Sequence, residues 1–103
     1  RDARDGGWFR YDMAVDETSQ LELWCTYWGN DSGRKFEIWV DSVKIADEML
    51  TGLSPNRFYN KTYPIPMEAV KGKRKVCVIF RAYPNSMAGG VFGCRILRKA
   101  DSQ

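Results

Sequence analysis

Apolar and polar residues alternate with period two from one end of this chain to the other, and no stretch carries a convincing helical period. That pattern confines the chain to an all-β fold. The clearest case is Gln20 to Trp28: Leu21, Leu23, Cys25 and Tyr27 share one face, and Glu22, Trp24, Thr26 and Trp28 share the other. Upstream, Trp8 to Val15 sets Phe9, Tyr11, Met13 and Val15, the expected core face, against Trp8, Arg10, Asp12 and Ala14.

Further along, Phe36, Ile38 and Val40 oppose Glu37, Trp39 and Asp41. A two-residue turn at Asp41-Ser42 pairs Val40 with Val43 and Ile38 with Ile45, so turn and hydrophobic register agree. Strands are expected at Val43 to Leu50 and at Arg57 to Tyr63, where Phe58 is opposed to Tyr59. Pro64 and Pro66 are expected to end regular pairing, with a single helical turn from Pro66 to Val70. Arg74 to Ala82 is the most apolar strand, with Val76, Val78 and Phe80 opposed to Cys77 and Ile79. Val91 to Arg98 closes the set with Phe92, Cys94 and Ile96 in phase.

Loops rich in Gly, Pro, Asn and Asp separate these strands: Asp5-Gly6-Gly7, Gly29 to Arg34, Thr51 to Asn56 and Tyr83 to Gly90. Short strands at regular spacing predict a β-sandwich, with jelly-roll topology as the expected form. At 103 residues the chain fits a single domain over 1–103. It starts at Arg1 without an initiator methionine and so reads as an excised piece of a larger protein.

Composition narrows the chemistry. There is no histidine, so neither a Ser-His-Asp nor a Cys-His site can be built, and the commonest metal ligand is missing. Among acidic residues, Glu22, Glu37 and Asp41 are the most strand-embedded and read as solubilising groups on an outer face. No catalytic, cofactor-binding or metal-binding residue is therefore assigned, and Asp31 in its loop reads as part of an ordinary turn rather than a calcium ligand.

The net charge is +3, and the one dense basic run, Lys71 to Lys75, reads as a solvated turn rather than a nucleic-acid patch. No apolar run approaches the roughly 20 residues of a membrane span, so no membrane insertion is expected. The 3 cysteines, Cys25, Cys77 and Cys94, lie in apolar runs without close C-x-x-C spacing and read as free core thiols. A Cys25–Cys94 bridge requires their strands to be neighbours.

Aromatic residues stand out. Trp24, Trp28 and Trp39 fall on faces opposite the apparent core, and Trp8 joins them as a candidate contact residue. Exposed rings of this kind fit two roles, packing against another domain or stacking on sugar rings, and domain contact is the leading expectation. The loops Gly29 to Arg34 and Asn85 to Gly90 are expected to cluster at one end of the fold.

Five phrases occur in order: Gly6-Gly7-Trp8-Phe9; Cys25-Thr26-Tyr27-Trp28-Gly29; Phe36-Glu37-Ile38-Trp39-Val40-Asp41; Tyr63-Pro64-Ile65-Pro66; and Met87-Ala88-Gly89-Gly90 followed by Gly93-Cys94-Arg95. Together, from about Asp5 to Arg98, they resemble the C-terminal β-sandwich that follows the catalytic barrel in β-L-arabinofuranosidase-like glycoside hydrolases of family 127. In that family the catalytic carboxylate and the zinc-binding cysteines belong to the barrel, so no catalytic residue carries over and the cysteines here do not match that zinc site. The resemblance implies a non-catalytic accessory domain of a bacterial glycoside hydrolase, located in the periplasm or outside the cell. Its expected partners are the other domains of that enzyme and, in the binding alternative, an oligosaccharide.

Overall fold

Strict alternation in the second long strand becomes strict alternation in space. In the computed structural model, which describes residues 2–15, 20–52 and 54–98, burial along Leu21–Trp28 switches at every residue. The strands are β1 (Asp2–Arg4), β2 (Trp8–Ala14), β3 (Leu21–Trp28), β4 (Ser32–Val40), β5 (Val43–Thr51), β6 (Phe58–Ile65), β7 (Lys75–Ala82), β8 (Met87–Gly89) and β9 (Val91–Arg98). A helical turn, α1 (Met67–Val70), sits between β6 and β7 with Pro66 at its N-cap, as the proline predicted.

The protein is all-β, built from antiparallel sheets. A four-stranded sheet, here the wide sheet, runs β2-β7-β4-β5; a three-stranded sheet, the narrow sheet, runs β6-β3-β9; and β1 pairs with β8 in a small ribbon. The inner faces of the wide and narrow sheets meet in one core containing Leu23, Cys25, Tyr27, Phe36, Ile38, Val78 and Phe80, all fully buried. Tyr27 of the narrow sheet meets Phe36 of the wide one with ring centroids 6.2 Å apart. Burial of these side chains, each contributing about 1.5–3 kcal/mol, is the main force holding the sheets together.

Several expectations change at the level of register. Val40 does face Val43 across the Asp41-Ser42 turn, but a bulge then places Ile38 opposite Ala46 rather than Ile45. Asp41 adopts φ +49°, a left-handed conformation that aspartate tolerates. Its carboxylate accepts hydrogen bonds from the Cys77 amide (2.8 Å) and from Lys73 (2.6 Å), which ties the hairpin to the start of β7.

Pairing does not stop at Pro64: Glu22 lies opposite Pro64 and Leu21 opposite Ile65. β6 is an edge strand, so a residue without an N–H is accommodated there. Phe92 is not in phase with Cys94 and Ile96. The register shifts between Thr26 and Tyr27, so that Gly93 faces Thr26 and Val91 faces Tyr27, and Phe92 becomes the extra residue, turned outward. The loop expected from Tyr83 to Gly90 contains β8, whose Ala88 is fully buried.

Candidate functional site

Outward positions on the two sheets divide the tryptophans. Trp24 and Trp28 lie on the outer face of β3 in the narrow sheet, whereas Trp8 and Trp39 lie on the outer face of the wide sheet, on β2 and β4. The four candidate residues therefore form no single site, because β3 and β4, adjacent in sequence, belong to opposite sheets.

On the wide sheet the rings sit within a polar lattice. The Trp39 indole N–H points to Glu37 at 3.4 Å, and Lys44 bridges Glu37 (3.4 Å) and Asp47 (3.0 Å). The Tyr83 hydroxyl donates to Asp47, and Lys35 lies 4.7 Å from the centroid of the Tyr83 ring. The Tyr83 hydrogen bond, reinforced by Lys44, holds the Asp47 carboxyl below its ordinary value. Trp8, although 60% exposed, stands at the start of an edge strand opposite Arg81.

The narrow sheet differs. Trp28 pairs across the ladder with Phe58, their ring centroids 4.8 Å apart, and Phe58 meets Phe92 at 5.2 Å, both contacts edge-on. Phe58 is 57% exposed and Phe92 61%, values far from those of core phenylalanines. The three rings come from three strands: Trp28 from the central one, Phe58 from β6, and Phe92 from the bulge in β9. Beside them, Thr26 Oγ1 donates to Asn60 Oδ1 at 2.6 Å, and farther along β3 lies half-buried Trp24 between Thr62 and Arg95.

Sequence reasoning found Trp28 but missed its companions. Phe58 alternates like any strand residue, and only the β3–β6 register brings it to Trp28. The pair Phe92-Gly93 was the available signal for a bulge, since glycine inside a strand often marks one.

The end of the narrow sheet is fixed by loops, as their expected clustering required. Gly29 packs so closely on the next loop that a Cβ there would lie 1.6 Å from the Ser54 carbonyl oxygen. Asn30 accepts from the Asn56 amide at 2.8 Å and donates to the Asn56 side chain at 3.2 Å. Gly90 lies against the Asp31–Arg34 ion pair (3.4 Å): a Cβ there would stand 2.6 Å from Asp31 and 2.9 Å from Arg34. The Ser86 hydroxyl accepts from the Lys35 amide at 2.8 Å. The aromatic cluster is thus mounted on a braced end of the sheet.

A second feature lies between β5 and β6, the edge strands on the same side of the molecule. Glu48, only 7% exposed, accepts from the Tyr63 hydroxyl (2.6 Å) and pairs with Lys61 (2.8 Å), and Tyr63 in turn shares a hydrogen bond with buried Tyr27 (2.8 Å). Burial pushes the Tyr27 and Tyr63 hydroxyls well up, so both remain protonated and able to donate. Glu48 was not among the acidic residues singled out from sequence, although its spacing from Leu50 places both on the inner face. The adjoining cleft, about 350 Å³, is walled by Glu48, Tyr59, Asn60 and Lys61 and contains no tryptophan.

Glu37 and Asp41 are occupied by the ion pairs described, and Glu22 is half-buried on the outer face of β3. Among the described residues, no group of three or more His, Cys, Asp or Glu is placed to hold a metal ion, and no helix is long and apolar enough to cross a membrane.

Fold and surface together define an all-β protein with an aromatic cluster on one sheet, two of whose three rings are exposed, and a polar lattice on the other. Residues 1–97 match the family described as "Family of unknown function (DUF6805)", and the chain belongs to that family. Comparisons with curated proteins and with solved structures give no match.

Proposed function

We propose that this chain is a non-catalytic accessory domain that docks through the outer face of its narrow sheet onto another domain of the protein it belongs to. The observation that carries the proposal is the Trp28–Phe58–Phe92 row of rings, in which exposed Phe58 touches both half-buried Trp28 and exposed Phe92 on the outer face of the narrow sheet. Contiguous exposed apolar rings of this kind mark contact surfaces. The tryptophans are absent from the walls of the β5–β6 cleft, which favours docking over sugar capture.

We take the architecture to be a β-sandwich of jelly-roll type. Supporting this, the chain changes sheet from β2 to β3, from β3 to β4, from β5 to β6, from β6 to β7, and again on reaching β9. Following the family-127 resemblance, the parent protein is an exported bacterial glycoside hydrolase whose catalytic groups lie outside this chain.

A second reading, a carbohydrate-binding module, draws on Trp28 together with the polar pair Thr26 and Asn60 beside it. Tryptophan fluorescence followed during titration with plant-wall oligosaccharides separates the two. Docking predicts no saturable response in wild-type protein. A saturable shift abolished by Trp28→Ala overturns docking in favour of sugar binding.

A further inference from the structure

Two cysteines face each other across the narrow sheet. Cys25 of β3 and Cys94 of β9 are direct Cα partners in the antiparallel ladder, and both side chains join the inner cluster, Cys25 fully buried and Cys94 half-buried. Directly opposed residues in such a ladder have Cα atoms about 4.5 or 5.5 Å apart, depending on the hydrogen-bonding class of the pair. Disulfides span Cα separations of about 4.4–6.8 Å, so both classes fall within the bridging range. Register also gives the two side chains a common direction, the second requirement for a bond without backbone movement.

We propose that Cys25 and Cys94 form an intramolecular disulfide when the chain meets a thiol–disulfide oxidant, making this pair a covalent modification site that fixes the last strand. The inference is independent of the docking reading. β9 is an edge strand held laterally by β3 alone, and it carries Phe92 two residues before Cys94. A bond at this position fastens the edge at its midpoint and the aromatic cluster with it.

The chemistry balances with a low-molecular-weight or protein disulfide, RSSR, as oxidant. Cys94, the more accessible of the two, loses its proton and attacks RSSR, giving a Cys94–SR mixed disulfide and releasing RSH. Cys25 then loses its proton, attacks the Cys94 sulfur and releases the second RSH. The cysteine pair is oxidised by two electrons and RSSR is reduced to two thiols. Contact with the Cys94 thiol, followed by burial, pushes the Cys25 thiol up, so Cys25 remains protonated until Cys94 is activated. In the reduced form the Cys94 thiol lies 4.0 Å from the Met13 thioether. Cys77 lies on the outer face of the wide sheet opposite Asp12 and has no route to either partner.

The test is oxidation of the reduced chain in glutathione buffers of rising oxidised fraction, followed by alkylation, digestion and mass spectrometry. Cys77→Ser protein run in parallel removes intermolecular bridging. The expected result is a Cys25–Cys94 linked peptide, loss of two alkylatable thiols, and a thermal midpoint that falls when dithiothreitol is added. Cys94→Ser, which alters the half-buried partner and spares the core position, should lose the linked peptide and the reductant-sensitive midpoint together. Recovery of Cys25 and Cys94 as free or glutathione-capped thiols under conditions that oxidise Cys77 would overturn the proposal, as would a bridge from Cys77 to Cys25 or Cys94.

Discussion

The outer faces of the wide and narrow sheets are made from the same alternating strands, and each carries two of the four tryptophans. On the wide sheet the indole of Trp39 is hydrogen-bonded to Glu37 within a lattice of Lys44, Asp47, Tyr83 and Lys35, while Trp8 stands exposed at the edge. On the narrow sheet the ring of Trp28 meets Phe58, and Phe58 meets Phe92. An outward tryptophan therefore carries little information by itself. What distinguishes a contact face is whether the neighbouring strands supply charges or more rings, and those neighbours are set by pairing across the sheet.

The largest expected effect comes from the glycines that support each face. Gly29→Ala forces a Cβ into the Ser54 carbonyl and should cost about 3 kcal/mol, the upper end for overpacking. Gly33→Ala, in the wide sheet, meets nothing within 4 Å and should cost only the strain of its φ of +67°, about 1–2 kcal/mol. Urea denaturation of the two variants measures the gap directly. Equal losses would mean that the loop packing does not brace the narrow sheet.

Next come the acidic residues. Glu48→Ala strips the buried Tyr63 hydroxyl and Lys61 of their acceptor and should cost about 1–3 kcal/mol. Glu37→Ala, whose partners are partly exposed, should remain within about 0.5 kcal/mol of wild type. The same denaturation series ranks them, and a reversed order would contradict the asymmetry drawn between buried and solvated charge.

A smaller effect is pH-dependent. Burial raises the Asp41 carboxyl, but the hydrogen bonds from Lys73 and the Cys77 amide outweigh it and hold the group below its ordinary value of 3.8. A carboxyl depressed on folding stabilises the fold above its unfolded pKa, and that contribution is lost as pH falls through the lower folded value. The stability gap between wild type and Asp41→Asn should therefore be constant from neutral pH down to about 5 and narrow below 3.8. A gap unchanged at the most acid pH would remove Asp41 from the account of the hairpin.

The smallest effect on stability is expected where the functional effect is largest. Phe58→Ser and Phe92→Ser should cost no more than about 1 kcal/mol each, because the rings lose edge contacts but little burial. Both should nevertheless raise solubility and abolish docking, whereas Trp39→Ala on the wide sheet should leave docking intact. Light scattering and co-purification with the proposed partner domain read the two properties separately.

Much of the fold was legible because alternation is local. β2, β3 and β7 follow directly from period two, as do the Asp41-Ser42 turn and the outward placement of Trp24 and Trp28. What was not legible depends on partners. Pro64 looked like a terminator because sequence does not distinguish an edge strand from a central one. Ile45 was given the wrong cross-strand partner and Phe92 the wrong phase because each bulge inserts one extra residue into the ladder. Glu48 went unremarked because an acidic residue is assigned to solvent until a buried hydroxyl is found to meet it. The candidate site shared that fate: Trp28 was found by alternation, whereas Phe58 and Phe92 join it through register alone.

Hydroxyl-radical footprinting of Trp28, Phe58 and Phe92, in this chain alone and joined to the domain on which it is proposed to dock, tests the central claim most directly. Docking through the narrow sheet predicts strong labelling of exposed Phe58 and Phe92 in the isolated chain and protection of both when the docking domain is present, with Trp8 labelled equally in the two samples. Equal labelling of Phe58 and Phe92 in the two samples would contradict it.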